Sequence, residues 1–181
     1  MLANAAREAE SRMAQSVEDL FRSVMGRFAT GITVITTEVD GEVFGMTANA
    51  FMAGSLTPPL CVISVARTAR MYERLLSTRR FGVSFLSTAQ LALSDHFARR
   101  RQMQAMPELA YINEMPVLAQ AVAALAANVV ATTDCGDHLL FIGQIIGMEA
   151  AEEQPLLYYR GQYSALHRAP RAERIEAPEF W

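Results

Sequence analysis

The sequence predicts a mainly β protein, an antiparallel barrel that is closed or nearly closed and has helices packed outside it. Six or more apolar stretches have the β-branched composition of strands, whereas only three stretches show helical spacing. Hairpin turns and short helices join the strands, without the regular alternation of strand and crossover helix that builds a parallel sheet. These observations favour a barrel with peripheral helices over a doubly wound sheet.

The composition indicates one globular domain, which we place over 17–168, between a polar lead-in (1–16) and a C-terminal tail (169–181). The chain has 181 residues, of which 51% are hydrophobic, and this is sufficient for one sizeable core. A net charge of −3 argues against nucleic acid as the main partner. No apolar run reaches the roughly 18 residues that a membrane span needs. Residues 1–15 lack the apolar segment of a secretory signal, and two cysteines form no disulfide pattern, so we expect a cytoplasmic protein.

The first half of the domain begins with a helix and a β-hairpin. Apolar residues recur at helical spacing over 17–28, which predicts an amphipathic helix with one buried face. A β-branched strand over 32–37 and a returning strand over 42–47 flank Asp40-Gly41, which is a strong hairpin signal.

Further strands and two shorter helices follow. Strands are predicted over 60–66 and 81–86, and Ser87 with Gln90 has the spacing of a capping box for a helix that ends near Phe97. The other predicted elements are a short helix around 71–76, an irregular crossover or lid over 102–116, two long strands over 121–133 and 139–148, and an apolar segment over 156–159.

The stretch Gly45–Pro59 has small side chains where a strand usually carries bulky ones. Small side chains let a ligand approach the main chain, whose N–H groups can then donate hydrogen bonds. Two interpretations remain open. The stretch is either a strand, a bend and a turn into the next strand, or a cradle for a flat ligand with polar edges.

The sequence has no signature of nucleophilic, metal or mononucleotide chemistry. It contains no G-x-G-x-x-G after a strand, no G-x-x-x-x-G-K-[ST], no G-x-S-x-G and no His/Cys cluster. Of the three histidines, His138 begins a strand directly after Gly136-Asp137. It is either part of a capped turn or an imidazole directed into a pocket at a barrel rim. The basic clusters Arg99–Arg101 and Arg67/Arg70 are either solvated or countercharges for a phosphate.

Six segments occur in an order that carries a family resemblance. They are Gly26-Arg-Phe-Ala-Thr-Gly-Ile-Thr-Val-Ile-Thr36, Gly45-Met-Thr-Ala-Asn-Ala-Phe51, Ser55-Leu-Thr-Pro-Pro-Leu60, Phe81-Gly-Val-Ser-Phe-Leu86, Gly136-Asp-His-Leu-Leu-Phe-Ile-Gly143 and Pro155-Leu-Leu-Tyr-Tyr-Arg-Gly-Gln-Tyr163. Over about residues 18–167 the chain thereby resembles the short-chain flavin reductases, the reductase components of two-component flavin monooxygenases. The resemblance implies an FMN-binding split β-barrel, usually assembled as a homodimer.

The resemblance also implies roles for individual residues. The isoalloxazine and ribityl chain of FMN or FAD would contact Thr47, Ala48, Asn49, Ala50, Ser55 and Leu56. The phosphate end of the flavin would lie near Ser64, Val65, Ala66, Arg70 and Phe97. His138 would sit beside the nicotinamide of NADH or NADPH as the catalytic residue, and no metal is implied.

The reaction implied by the resemblance is hydride transfer from reduced nicotinamide to flavin. It needs no nucleophile and no metal, because the cofactors supply the chemistry once their rings are stacked. Reduced flavin would then pass to a separate oxygenase. Two alternatives stay open: a reductase that keeps its flavin and reduces ferric iron or a cobalt corrinoid, and a non-catalytic flavin-binding protein. We expect a homodimer that buries a strand face or the helix containing Phe21.

Overall fold

A computed structural model describes residues 16–104 and 107–167 and is mainly β over them. The lead-in before Ser16, residue 168 at the end of the predicted domain, and the tail lie outside the described residues. The strands are β1 (Thr30–Gly31), β2 (Thr33–Val39), β3 (Glu42–Ala48), β4 (Phe51–Leu56), β5 (Pro59–Ala66), β6 (Arg80–Phe85), β7 (Leu109–Ile112), β8 (Met115–Leu118), β9 (Ala123–Cys135), β10 (His138–Ala150), β11 (Leu156–Tyr159) and β12 (Gln162–Ala165). The helices are α1 (16–25), α2 (Arg70–Thr78) and α3 (Leu91–Phe97), the last preceded by a 3-10 turn at Thr88–Gln90.

Seven strands form one antiparallel sheet in the order β3-β2-β6-β9-β10-β5-β4. A three-stranded sheet, β1-β11-β12, and the hairpin β7-β8 complete the β structure of the described residues. The seven-stranded ladder has two edges, β3 and β4, and no hydrogen-bonded pairing joins them among the described residues. The closed barrel of the sequence prediction is therefore not confirmed.

The two edges of this sheet nevertheless meet at one point of the chain. β3 and β4 lie at opposite edges, yet only Asn49 and Ala50 separate them in sequence. The three Cα steps from Ala48 to Phe51 span at most about 11 Å. The sheet must therefore curl until its edges are neighbours at this joint. Beyond the joint, β4 has a register shift between Ala53 and Ser55, and such an irregularity bends a strand.

The core fills the inside of this curl, and α2 packs against it. Its fully buried members come from five strands and this helix: Ile35, Cys61, Ile63, Val65, Leu75, Phe81, Val83 and Phe141. Cys61 was predicted to be a small buried hydrophobe, and burial raises the pKa of its thiol to about 11. Cys61 therefore stays neutral at physiological pH and contributes to packing only.

The apolar face of α1 was predicted to be buried, and within the described residues this is wrong. Its members are all exposed: Val17, Leu20, Phe21, Val24, Met25 and Phe28, here called the α1 stripe. Phe21 is 65% exposed and Phe28 is 74% exposed. The end of α1 is joined to the rest of the chain through the backbone, since the Arg160 N–H donates to the Gly26 carbonyl at 2.8 Å.

The segment 102–116, predicted to be an irregular crossover or lid, instead contains most of a hairpin; residues 105 and 106 lie outside the described part. β7 and β8 turn at Asn113 and Glu114, both at positive φ (46° and 64°). Strand pairing tolerates Pro116 here because its carbonyl accepts a hydrogen bond from the Thr36 hydroxyl. Gly82 gives the hairpin room, since a Cβ there would overlap the Pro116 carbonyl. Over the described residues, no helix has the length and hydropathy needed to cross a membrane.

Candidate functional site

The joint between β3 and β4 is an exposed tip that offers unused hydrogen-bond donors. We call Thr47–Ala50 the β3–β4 tip. The Ala48 carbonyl accepts from the Thr33 hydroxyl at 2.8 Å, and the Ala50 carbonyl accepts from the Ser64 N–H at 3.2 Å. The N–H groups of Asn49 and Ala50, in contrast, donate to no group of the described chain, and both residues are exposed. Two backbone donors are therefore available to a ligand at this tip.

A cavity of about 170 Å³ borders the tip. Its lining consists of Ile32, Thr47, Ala48, Asn49, Ser94, Ala98, Arg100, Tyr158 and Tyr163. Three distant parts of the sequence meet here: the tip, the end of α3 and the β11–β12 hairpin. Gly45 permits this meeting, because a Cβ at that position would lie 2.5 Å from the Phe97 ring of α3.

Hydrogen bonds tie these three parts together. The Thr47 hydroxyl donates to the Ser94 carbonyl at 2.7 Å, which joins β3 to α3. The Tyr163 hydroxyl donates to the Asp95 carboxylate at 2.8 Å and lies 3.0 Å from the Ser94 hydroxyl, which joins β12 to α3. Burial is the main cause that raises the pKa of Tyr163, so its hydroxyl remains protonated and occupied by these two partners.

Arg100 contributes the cationic side chain of the cavity lining. Its Nη1 lies 4.0 Å from Asp95 Oδ1, and its Cζ lies 5.8 Å from the centre of the Tyr163 ring. The Tyr158 hydroxyl and then Tyr163 raise the pKa of Arg100 above its ordinary value, so the guanidinium is permanently charged. Its side chain is 54% exposed and therefore accessible from solvent.

His138 lies at the start of β10, opposite Ala66 of β5. Its Nδ1 is 2.8 Å from the Asp137 carboxylate, and this hydrogen bond is the main cause that lowers the pKa of Asp137. With Nδ1 engaged, Nε2 is the ring nitrogen that remains available. Ser64, the partner of Ala50, lies on the same face of β5 as Ala66 and about 7 Å from it. His138 and the β3–β4 tip therefore share one corner of the sheet.

The described residues contain no group of three or more His, Cys, Asp or Glu placed to hold a metal ion. The groups that do converge are backbone N–H donors, two tyrosines, a guanidinium and an imidazole. Such groups bind and orient a ligand, and they suit a site in which a bound cofactor supplies the reactivity.

Comparison with known proteins assigns the chain to a family. Residues 25–167 match the flavin reductase like domain. The chain belongs to the flavin reductase-like family. It is 36% identical over 155 residues to an NADH-dependent flavin reductase of a Rhodococcus species, covering 84% of this chain and 88% of that protein. It is 34% identical over 151 residues to the reductase component of 4-hydroxyphenylacetate 3-monooxygenase from Thermus thermophilus, covering 83% of this chain and 97% of that protein. The structure of flavin reductase PheA2 superposes with a TM-score of 0.81 at 41% identity, covering 83% of this chain and 98% of that one.

The structure of this flavin reductase-like protein brings some of the predicted site residues together. Thr47, Ala48 and Asn49 line the cavity, and Ala50 follows them on the tip. Phe97 packs under Gly45, and Ser64 and Ala66 connect the tip to His138.

Four predicted site residues lie elsewhere in the fold. Val65 is buried in the core, so only its main chain could contact a ligand. Ser55 and Leu56 lie at the far end of β4, paired with Leu60 and Pro59, and Arg70 is the first residue of α2. These positions separate Ser55 and Leu56 from the cavity by the length of β4.

Sequence reasoning missed Ser94, Arg100, Tyr158 and Tyr163 as members of the cavity lining. The two tyrosines carried a usable signal. Arg160-Gly161 is a two-residue hairpin turn, with both residues at positive φ, and it places Tyr158 directly opposite Tyr163. Their ring centres are 6.0 Å apart. Ser94 and Arg100 carried no comparable signal, because they meet the tip only through tertiary packing.

Proposed function

We propose that this protein is an NADH:flavin oxidoreductase, which transfers hydride from reduced nicotinamide to FMN or FAD. The observation that carries the proposal is the β3–β4 tip, where two unused N–H donors and small side chains border a cavity. A flavin ring is flat and has carbonyl acceptors along one edge, so it suits such a surface. The names of the two relatives, an NADH-dependent flavin reductase and a monooxygenase reductase component, support the same reaction.

In this proposal the residues of the chain bind and orient, and the flavin, when bound, accepts the hydride. The N–H groups of Asn49 and Ala50 stabilise the negative charge that develops on the carbonyl edge of the ring. Ala48 and Ala50 allow the ring to approach these donors. His138, held through Nδ1 by Asp137, orients the nicotinamide by a hydrogen bond from Nε2 or by ring packing. It need not move a proton, because hydride transfer takes none.

We also propose two protein partners for this chain, a second copy of itself and a separate flavin-dependent oxygenase. The α1 stripe is exposed on the chain, and a second copy would remove it from water. The oxygenase follows from the relative named as a monooxygenase reductase component. The domain limits 17–168 and the cytoplasmic location stay predictions of the sequence.

The proposal is tested by steady-state NADH and NADPH oxidation with FMN, FAD and riboflavin as acceptors, together with Ala50→Leu. We expect turnover of free flavin with NADH. We expect the variant to raise the flavin Kd at least about tenfold, because the leucine side chain occupies the approach to the tip donors. The variant should keep the wild-type melting temperature, since Ala50 is exposed. Ala151→Leu, at an exposed alanine outside the cavity lining, is the matched control.

Other outcomes would replace the proposal. Flavin that stays bound while only a ferric or corrinoid complex is reduced would indicate a metal-centre reductase. Flavin binding without NADH oxidation would indicate a non-catalytic flavin-binding protein. Wild-type flavin affinity in Ala50→Leu would show that the tip is not the flavin site.

A further inference from the structure

We propose that Arg100 binds the phosphate group of the flavin and that Tyr163 positions Arg100 for this purpose. The inference rests on the proposed function and names the group by which the site would prefer FMN and FAD to riboflavin. It starts from the cavity lining, in which Arg100 is the one cationic side chain, on the same wall as the end of α3 and facing the tip residues across about 170 Å³.

Arg100 is one of three consecutive arginines, and the structure separates it from its neighbours. Only Arg100 of the three lines the cavity. Its guanidinium lies near the Tyr163 ring and under the influence of the Tyr158 hydroxyl, both of which are cavity residues. A long side chain held between two aromatic residues loses less rotamer freedom when it binds an anion.

The one carboxylate close to Arg100 leaves it available for a ligand. Asp95 Oδ1 is 4.0 Å from Nη1, the outer limit of an ion pair, and it already accepts the Tyr163 hydroxyl at 2.8 Å. A guanidinium has five N–H donors, so most remain free to bind a phosphate in bidentate geometry. The three arginines together outweigh the single negative charge of Asp95.

Tyr163 acts through Arg100 in this arrangement. Its hydroxyl is occupied by Asp95 and Ser94, so it has no free donor to offer a ligand. By holding Asp95, it keeps the carboxylate from closing fully on the guanidinium, and its ring borders the same side chain. Tyr163 is therefore a positioning residue for the phosphate contact.

The simplest competing explanation is structural. Arg100 follows the C-terminal end of α3, and its backbone N–H donates to the Asp95 carbonyl at 2.9 Å. A cation there stabilises a helix end and forms a weak ion pair. This explanation predicts a lower melting temperature on substitution and no change in ligand preference, so the two explanations are separable by measuring both quantities.

The test compares Arg100→Gln with Arg101→Gln, which removes the same charge from the same run without touching the cavity lining. FMN and riboflavin differ only by the phosphate, and their Kd values are measured by flavin fluorescence. We expect Arg100→Gln to raise the FMN Kd about tenfold and to leave the riboflavin Kd within about twofold. Arg101→Gln should leave both within about twofold. Tyr163→Phe should raise the FMN Kd about threefold, and adding it to Arg100→Gln should cause no further rise.

Several results would overturn the inference. Equal rises for FMN and riboflavin would mean that Arg100 shapes the whole cavity. Unchanged Kd values with a lower melting temperature would leave the structural explanation. A raised KM for NADH with riboflavin as acceptor would assign Arg100 to the dinucleotide phosphates instead. Riboflavin turnover by all variants would support the proposed reaction whichever result is found, so the two proposals fail separately.

Discussion

At the scale of single residues, His138 is held by its own neighbour in the chain. The Asp137 carboxylate takes up Nδ1 at 2.8 Å, and the Arg67 N–H binds the Asp137 carbonyl at 3.0 Å. The capped turn and the directed imidazole, which the sequence left as alternatives, are therefore compatible. The turn is the device that fixes the ring, and one ring nitrogen remains to contact a substrate.

We expect His138→Ala to lower kcat/KM for NADH about tenfold to a hundredfold, mainly through KM. This corresponds to roughly 1.4–2.8 kcal/mol of lost transition-state interaction. The flavin Kd should change by less than about twofold, because the tip and not His138 binds the flavin. Stopped-flow hydride transfer and fluorescence titration measure the two quantities, with the exposed His167→Ala as control. Equal losses in both would mean that His138 shapes the whole site.

At the scale of elements, two close approaches depend on the absence of a side chain. Gly45 admits the Phe97 ring of α3 against β3, and Gly82 admits the β7–β8 hairpin against β6. The second contact also involves buried hydrogen bonds, in which Thr36 donates to the Pro116 carbonyl and the Leu118 N–H donates to the Ser84 hydroxyl. Neither approach is encoded by a local pattern.

We expect Gly82→Ala to reduce the free energy of unfolding by about 1–3 kcal/mol, because the new methyl group would overlap the Pro116 carbonyl and displace the hairpin. Urea denaturation followed by circular dichroism measures the loss. Gly31→Ala is the matched control, since a Cβ there has no atom within 4 Å. A Gly82→Ala protein as stable as the wild type would show that the hairpin moves aside without cost.

How much could be predicted from the sequence depends on how local each signal is. Asp40-Gly41, the Ser87–Gln90 pair and the long β9–β10 hairpin are set by neighbouring residues, and all three were predicted correctly. The β7–β8 hairpin was missed because its turn is Asn113-Glu114, without a glycine, and because Pro116 argued against a strand.

The site was predicted only in part for the same reason. The β3–β4 tip is one continuous segment, and its small residues marked it in the sequence. The opposite wall comes from α3 and from β11–β12, and only the curl of the sheet brings these to the tip. A wall built from tertiary contacts leaves no spacing that a single sequence can show.

At the scale of the whole molecule, the α1 stripe is the largest departure from the predicted packing. Six apolar side chains on one helix face are each more than half exposed. Amphipathic helices bury such a face when a partner surface is available. Within the described residues no element covers it, and this is why we place a second copy there.

We expect the protein to be a homodimer in solution and Phe21→Glu to raise its dimer dissociation constant at least about a hundredfold, because a charge would have to be buried in an apolar contact. Light scattering over a dilution series measures this constant. Ser23→Glu introduces the same charge on the same helix outside the stripe and is the control. An active wild-type monomer at all concentrations would remove the dimer from the proposal.

The joint between β3 and β4 also restricts how this protein can be varied. Surface connections between strands usually tolerate inserted residues. Here a longer Asn49–Ala50 connection would let opposite edges of one sheet separate, so its length is set by the curvature of the whole sheet. New ligand preferences can arise at residues 47–50 only by exchanging side chains. Insertions are better placed at the far hairpin, where Gly136 has open space around it.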